Sequence, residues 1–78
     1  MPKSLRGRRH RALIAVLVAS RRDAGLTQRD LAKKLKRTQT WVANTETGER
    51  RLDVAEFFEV AAALGVDPVV LFTRVAQW

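Results

Sequence analysis

Residues 25–51 read GLTQRDLAKKLKRTQTWVANTETGERR, and this stretch decides the fold. It shows no period-two alternation and no Asn-Gly or Asp-Gly hairpin turn, so its punctuation is helical. Thr27 stands as an N-cap, and Thr27-x-x-Asp30 resembles a capping box with Asp where Glu is usual. Leu26 and Leu31 form the hydrophobic staple of that helix, and Leu31, Ala32 and Leu35 make its inward face. The helix runs for about eight residues and gives way to Lys36-Arg37-Thr38. Thr38 is a second N-cap, so another helix opens after it and ends near Gly48. That helix carries Trp41, Val42 and Thr45 inward or at its edge. Its other faces show Gln39, Thr40 and Asn44. Ala32 is small and lies midway along the earlier helix, which lets the two approach closely at a steep angle.

The flanking sequence reads the same way. A first helix is expected from about Arg9 to Ala24, stopping at Gly25 in a left-handed conformation. Leu13, Ile14, Leu17 and Arg21 are expected on one broad face of it. Downstream, Asp53-x-x-Glu56 is a capping box and Leu52 with Phe57 its staple. Val54, Phe57, Ala61 and Leu64 make the stripe of this fourth helix, and Gly65 ends it. Asp67 caps a fifth helix with Pro68 at its first position, where a missing N–H costs nothing. Val66 and Leu71 staple it, and Leu71, Phe72 and Val75 supply apolar surface. The expected fold is all-α: a compact five-helix domain over residues 11–78, preceded by a basic N-terminal arm over residues 1–10.

Composition narrows the function. A chain of 78 residues fits one small domain with a modest core. There is no cysteine, hence no disulfide and no thiolate metal site. The single histidine, His10, lies in the basic arm and cannot make a metal cluster. No glycine-rich phosphate loop is present, so neither an enzyme nor a cofactor or metal is expected. No apolar run approaches the ~18 residues of a membrane span. MPKSLRGRRH followed by ALIAVLVA imitates an export signal. The apolar run is short, however, and Ser20-Arg21-Arg22 continues a helical face, so a cytoplasmic protein is expected. The net charge is +7 and uneven: +5 over residues 1–11, +5 over 12–37 and −3 over 38–78. Such a basic N-terminal half fits a nucleic-acid partner. The arm, with Lys3, Arg6, Arg8, Arg9 and Arg11, is either a phosphate-binding extension or a solvated tail.

Two short helices joined by a three-residue turn follow the helix-turn-helix plan, in which the second helix enters the major groove. The stretch from Leu13 to Phe72 resembles the Cro/phage-repressor (XRE-type) helix-turn-helix DNA-binding family. Gly25-Leu26-Thr27-Gln28, Ala32, Gln39, Val42, Glu46, Gly48 and Arg50-Arg51 all fall in its register. The resemblance implies a sequence-specific transcriptional regulator, of repressor or controller type, binding double-stranded DNA as a homodimer on a palindromic operator. It implies that Gln39 opens the recognition helix and reads bases, with Thr40 and Asn44 at further groove-facing positions. A glutamine amide can pair with adenine in two bonds. Gln28 matches a glutamine that contacts a phosphate and braces the recognition helix. Arg50 and Arg51 match positions near backbone phosphates, and Lys36, Arg37 and Thr38 border the path of the duplex. Arg21 is expected to pair with Glu46. The chain departs from the family at three places. Lys36 replaces a turn glycine and must adopt a left-handed conformation. Thr45 replaces an apolar residue and is expected to thin the core. Ala43 lacks a hydroxyl.

A homodimer is also expected from the C-terminal apolar stripes. Val70, Phe72, Arg74 and Trp78 are the expected interface, because so thin a domain cannot bury both stripes. Two other readings remain. One is an antitoxin-type adaptor whose task is to bind a protein partner. The other is an RNA-binding or non-specific nucleic-acid protein, recognisable by a steep salt slope without sequence preference.

Overall fold

The computed structural model describes residues 7–78. They form α1 (Arg8–Asp23), α2 (Gln28–Leu35), α3 (Gln39–Thr47), α4 (Val54–Leu64) and α5 (Pro68–Gln77). Among the described residues there is no strand. Lys3 and Arg6 of the basic arm lie outside the described residues, while Arg8, Arg9 and His10 are already helical.

The starts of α2, α3, α4 and α5 are each written in the residue before the helix. Thr27 and Asp53 cap α2 and α4 through complete capping boxes closed by Asp30 and Glu56. The Thr38 hydroxyl accepts from Trp41 N–H, and the Asp67 carboxylate from Val69 N–H. Such caps satisfy backbone donors that a helix cannot bond internally, each worth about 1 kcal/mol. The ends share one device. After α1, α2, α3 and α4 a left-handed residue turns the chain, and the next N–H reaches five residues back: Leu26 to Arg21, Arg37 to Ala32, Glu49 to Asn44 and Val66 to Ala61. This is the Schellman motif. Three of the left-handed residues are Gly25, Gly48 and Gly65; the fourth is Lys36 at φ 58°. The α2–α3 turn therefore keeps the geometry of a glycine turn with a side chain in it.

The core draws on every helix: Ala12, Val16 and Leu17 of α1, Leu31 and Ala32 of α2, Val42 of α3, Phe57, Val60, Ala61 and Leu64 of α4, and Leu71 and Val75 of α5. α2 packs on α3 and α4, while α1 packs on α3 and α5. Two expected inward residues, Ile14 and Val54, sit elsewhere. The buried face of α1 runs through Ala12, Val16, Leu17, Ser20 and Arg21, leaving Ile14 on its shoulder. In α4, Val60 takes the place expected of Val54, which is 72% exposed at the first turn. In α5, Phe72 is 64% exposed and only edges against Phe57, with ring centroids 6.0 Å apart. Thr45 is buried, and its hydroxyl donates to the Trp41 carbonyl at 2.8 Å, so a polar group is accommodated beneath α3 with its donor satisfied.

Candidate nucleic-acid interface

α3 is seated from behind and bare in front. Val42 and Thr45 are its buried residues, whereas Gln39, Thr40 and Asn44 are exposed on the outer side. Thr38, the N-cap, is also exposed. Its hydroxyl is occupied by Trp41 N–H at 3.1 Å.

Two carboxylates fix α3 to the scaffold. Glu46, near its C-terminal end, receives Arg21 Nε at 2.7 Å on Oε2 and Arg21 Nη2 at 3.1 Å on Oε1. Arg21 Nη1 donates to the Leu26 carbonyl at 2.7 Å, so every nitrogen of this guanidinium is used. The two side chains are only 10% and 9% exposed. Gln28 joins them, its Nε2 donating to Glu46 Oε1 at 2.9 Å. The N-terminus of α2, the end of α1 and the end of α3 are thus bound to one carboxylate. A two-bond Arg–carboxylate pair fixes orientation as well as distance, which a lysine could not do.

Glu56 is the second carboxylate, and sequence reading assigned it only a capping role. Its Oε1 accepts from Asp53 N–H at 3.1 Å and its Oε2 from Arg50 Nη2 at 3.1 Å. Arg37 Nη2 approaches Oε2 to 4.0 Å and Glu59 Oε1 to 3.5 Å. Arg37 and Arg50 also lie over the indole of Trp41, at 4.5 and 4.4 Å from its centroid. The Arg50 guanidinium and the capping N–H of Asp53 hold the Glu56 carboxyl below the usual glutamate range. The Trp41 and Glu56 contacts were beyond sequence reading because their partners come from the turn before α3 and the loop after it.

Arg50 and Arg51, neighbours in sequence, part company in space. Arg50 joins Arg37 on Trp41, whereas Arg51 lines an apolar groove between α1, the α3–α4 loop, α4 and α5. That groove takes in Leu13, Val54, Phe58, Val69 and Phe72. Of the expected interface residues only Phe72 lines it. Val70, Arg74 and Trp78 are exposed outside it. Val54, expected on the inward stripe of α4, and Phe58, for which no role was expected, instead share a second stripe at i, i+4 spacing that faces this groove. Lys36 is exposed at the turn.

The comparisons with known proteins agree with this geometry. The helix-turn-helix domain family model matches residues 4–71, nearly the whole chain, and the protein belongs to that family, in its XRE-type branch. It is 40% identical to an XRE-family like protein from Pseudomonas syringae pv. tomato str. DC3000, with a TM-score of 0.87 over 96% of this chain and 92% of that one. The clp gene regulator ClgR from Corynebacterium glutamicum is 26% identical, with a TM-score of 0.81 over 88% of this chain and 90% of that one. A single-residue variant of the Restriction-Modification Controller Protein C.Esp1396I is 25% identical, with a TM-score of 0.83 over 91% and 95%. No curated protein matches the chain. Among the described residues no helix is long and apolar enough to cross a membrane.

Proposed function

We propose that this protein is a cytoplasmic, sequence-specific transcriptional regulator that binds duplex DNA as a homodimer on a palindromic operator. The observation that carries the reading is α3 itself: a short helix anchored along its back by Val42, Thr45 and Glu46, with a polar front, Gln39, Thr40 and Asn44, that is exposed among the described residues. A helix so held can enter a major groove without losing its seat. Gln39, Thr40 and Asn44 are its base-reading side chains, through amide and hydroxyl groups suited to base edges. Gln28, Lys36, Arg37, Thr38 and Arg50 are assigned to the phosphates that flank the groove, whereas Arg51, which lines the apolar groove beside α5, is not. Gln28 keeps one amide N–H for this after bonding Glu46. Arg21 and Glu46 act indirectly, by holding the helix.

The dimer is assigned to the α5 side of the molecule. Val70, Phe72 and Trp78 are 47%, 64% and 55% exposed, and Val69 and Phe58 extend the apolar area. An apolar groove such as that around Phe58, Val69 and Phe72 marks a contact site. The names of two structural relatives, a gene regulator and a restriction-modification controller, support the regulatory reading. The deciding experiment is selection of bound sites from random duplex DNA. A palindrome with half-site centres about 34 Å apart supports the whole proposal. Salt-sensitive binding without recovered sequence favours a non-specific nucleic-acid protein instead.

A further inference from the structure

We propose that Trp41 and Glu56 are positioning residues that hold Arg37 and Arg50 together as a single phosphodiester clamp at the edge of α3. The inference rests on the duplex-binding reading above and adds to it a mechanism that family register does not supply.

Arg37 comes from the turn before α3 and Arg50 from the loop after it, yet both guanidiniums converge on one indole. Two like charges so close need a reason to stay. The indole face attracts each cation, and Glu56 stands beneath both, at 3.1 Å from Arg50 and 4.0 Å from Arg37. Glu56 is itself fixed by the α4 capping box, so the whole group is tied to a helix end.

A structural tether would also look like a cluster of opposite charges, and the molecule offers one for comparison. Arg21 spends Nε, Nη1 and Nη2 on protein acceptors and is almost fully buried. Arg37 and Arg50 differ on both counts. Their side chains are 34% and 29% exposed. Arg37 donates only from Nη2, to Glu59, and Arg50 donates from Nη1 and Nη2 but not from Nε. Each guanidinium carries five N–H groups in a fixed fork, so donors are left over on both, held in place and open to an outside acceptor. An oxygen-rich anion of the phosphodiester class matches such a fork. Glu59 fits the same role as a replaceable counter-ion. It is 55% exposed and touches Arg37 at 3.5 Å. A phosphate arriving at Arg37 has only that weak contact to displace. Holding both arginines in advance reduces the ordering cost of binding.

The test is the salt dependence of binding to mixed-sequence duplex DNA, with helical content checked for each variant. Arg37→Ala and Arg50→Ala are each expected to flatten the slope of log affinity against log salt by about 0.9. Trp41→Leu is expected to weaken binding about tenfold and to flatten the slope although no charge is removed. Trp41→Phe, which keeps a ring, is expected to restore most of both. A helical Trp41→Leu protein with the wild-type slope overturns the proposal. Glu59→Gln lies on the surface and tests it without risk to the fold. It is expected to tighten binding several-fold in the wild type but not in the Arg37→Ala background. An equal effect in both backgrounds reduces Glu59 to a distant charge and overturns the clamp. If the wild-type protein shows no affinity for duplex DNA at low salt, the duplex-binding reading falls, and the clamp with it.

Discussion

Glu46 is the residue on which most of the site's geometry depends. Its carboxylate holds Arg21 and Gln28 in a nearly dry position. Glu46→Ala leaves the buried Arg21 cation without its counter-ion, and a loss of ~3–5 kcal/mol in unfolding free energy is expected by denaturant titration. Replacing both charges by apolar residues of similar size should cost much less, because the desolvation of the pair is then also avoided. Lys36 presents the opposite case. Its left-handed backbone costs a non-glycine residue roughly 1–2 kcal/mol, and its exposed side chain returns little. Lys36→Gly is therefore expected to stabilise the protein by about 0.5–1 kcal/mol after the added freedom of the unfolded chain is allowed for. A denaturation midpoint that falls on this substitution refutes that reading of the turn. Under the proposed function Gln39 bears on binding rather than stability. Gln39→Ala should relax preference at one or two base pairs per half-site and cost ~1–3 kcal/mol there, with unfolding unchanged. Equal binding of cognate and altered operators removes Gln39 from the reading set.

At the scale of the element, the helix starts carry a pH dependence whose sign can be worked out. Asp30 is held below the usual carboxylate range chiefly by the backbone N–H of Thr27, and Glu56 chiefly by Arg50. A carboxyl whose folded value is depressed stabilises the protein above its unfolded value. That stability is lost as pH falls through the folded one. The protein should therefore hold its stability through neutral pH and lose it below the ordinary carboxylate range. Glu56→Gln should flatten this acid limb in thermal melts followed by circular dichroism. These starts were the most legible part of the chain, because a cap, a box and a staple are all local in sequence. Thr27, Thr38, Asp53 and Asp67 each announce a helix within four residues of themselves. The faces were less legible. On α4 the stripes Phe57–Ala61–Leu64 and Val54–Phe58 have the same period, and only the placement of the neighbouring helices, α2 and α5, decides which one is buried. Glu56 shows the limit most clearly. Its capping role is local, but its hold on Arg37 and Arg50 depends on where the α2–α3 turn and the α3–α4 loop meet.

The whole molecule presents two contrasting surfaces. One side presents α3 and the Arg37–Trp41–Arg50 group; the other carries the groove around Phe58, Val69 and Phe72. Val69→Asp should leave the fold intact, since Val69 is 70% exposed, and should shift sedimentation at micromolar concentration from dimer to monomer. A dimer that persists in this variant and in a protein lacking Thr73–Trp78 would place the interface elsewhere. One further contact has a topological consequence. Arg9 Nη1 donates to the Ala76 carbonyl at 3.1 Å, so the first turn of α1 lies against the last turn of α5. In terms of connectivity the fold is almost a closed ring, and the order in which its helices are synthesised is not intrinsic to it. A flexible Gly/Ser bridge of ~6 residues, reaching roughly 13 Å, should join residue 7 to residue 78. The chain could then be opened between Leu52 and Asp53, where no helix is cut. Such a circular permutant, beginning at α4 and ending after α3, should assemble the same five helices with α3 at its C-terminal end.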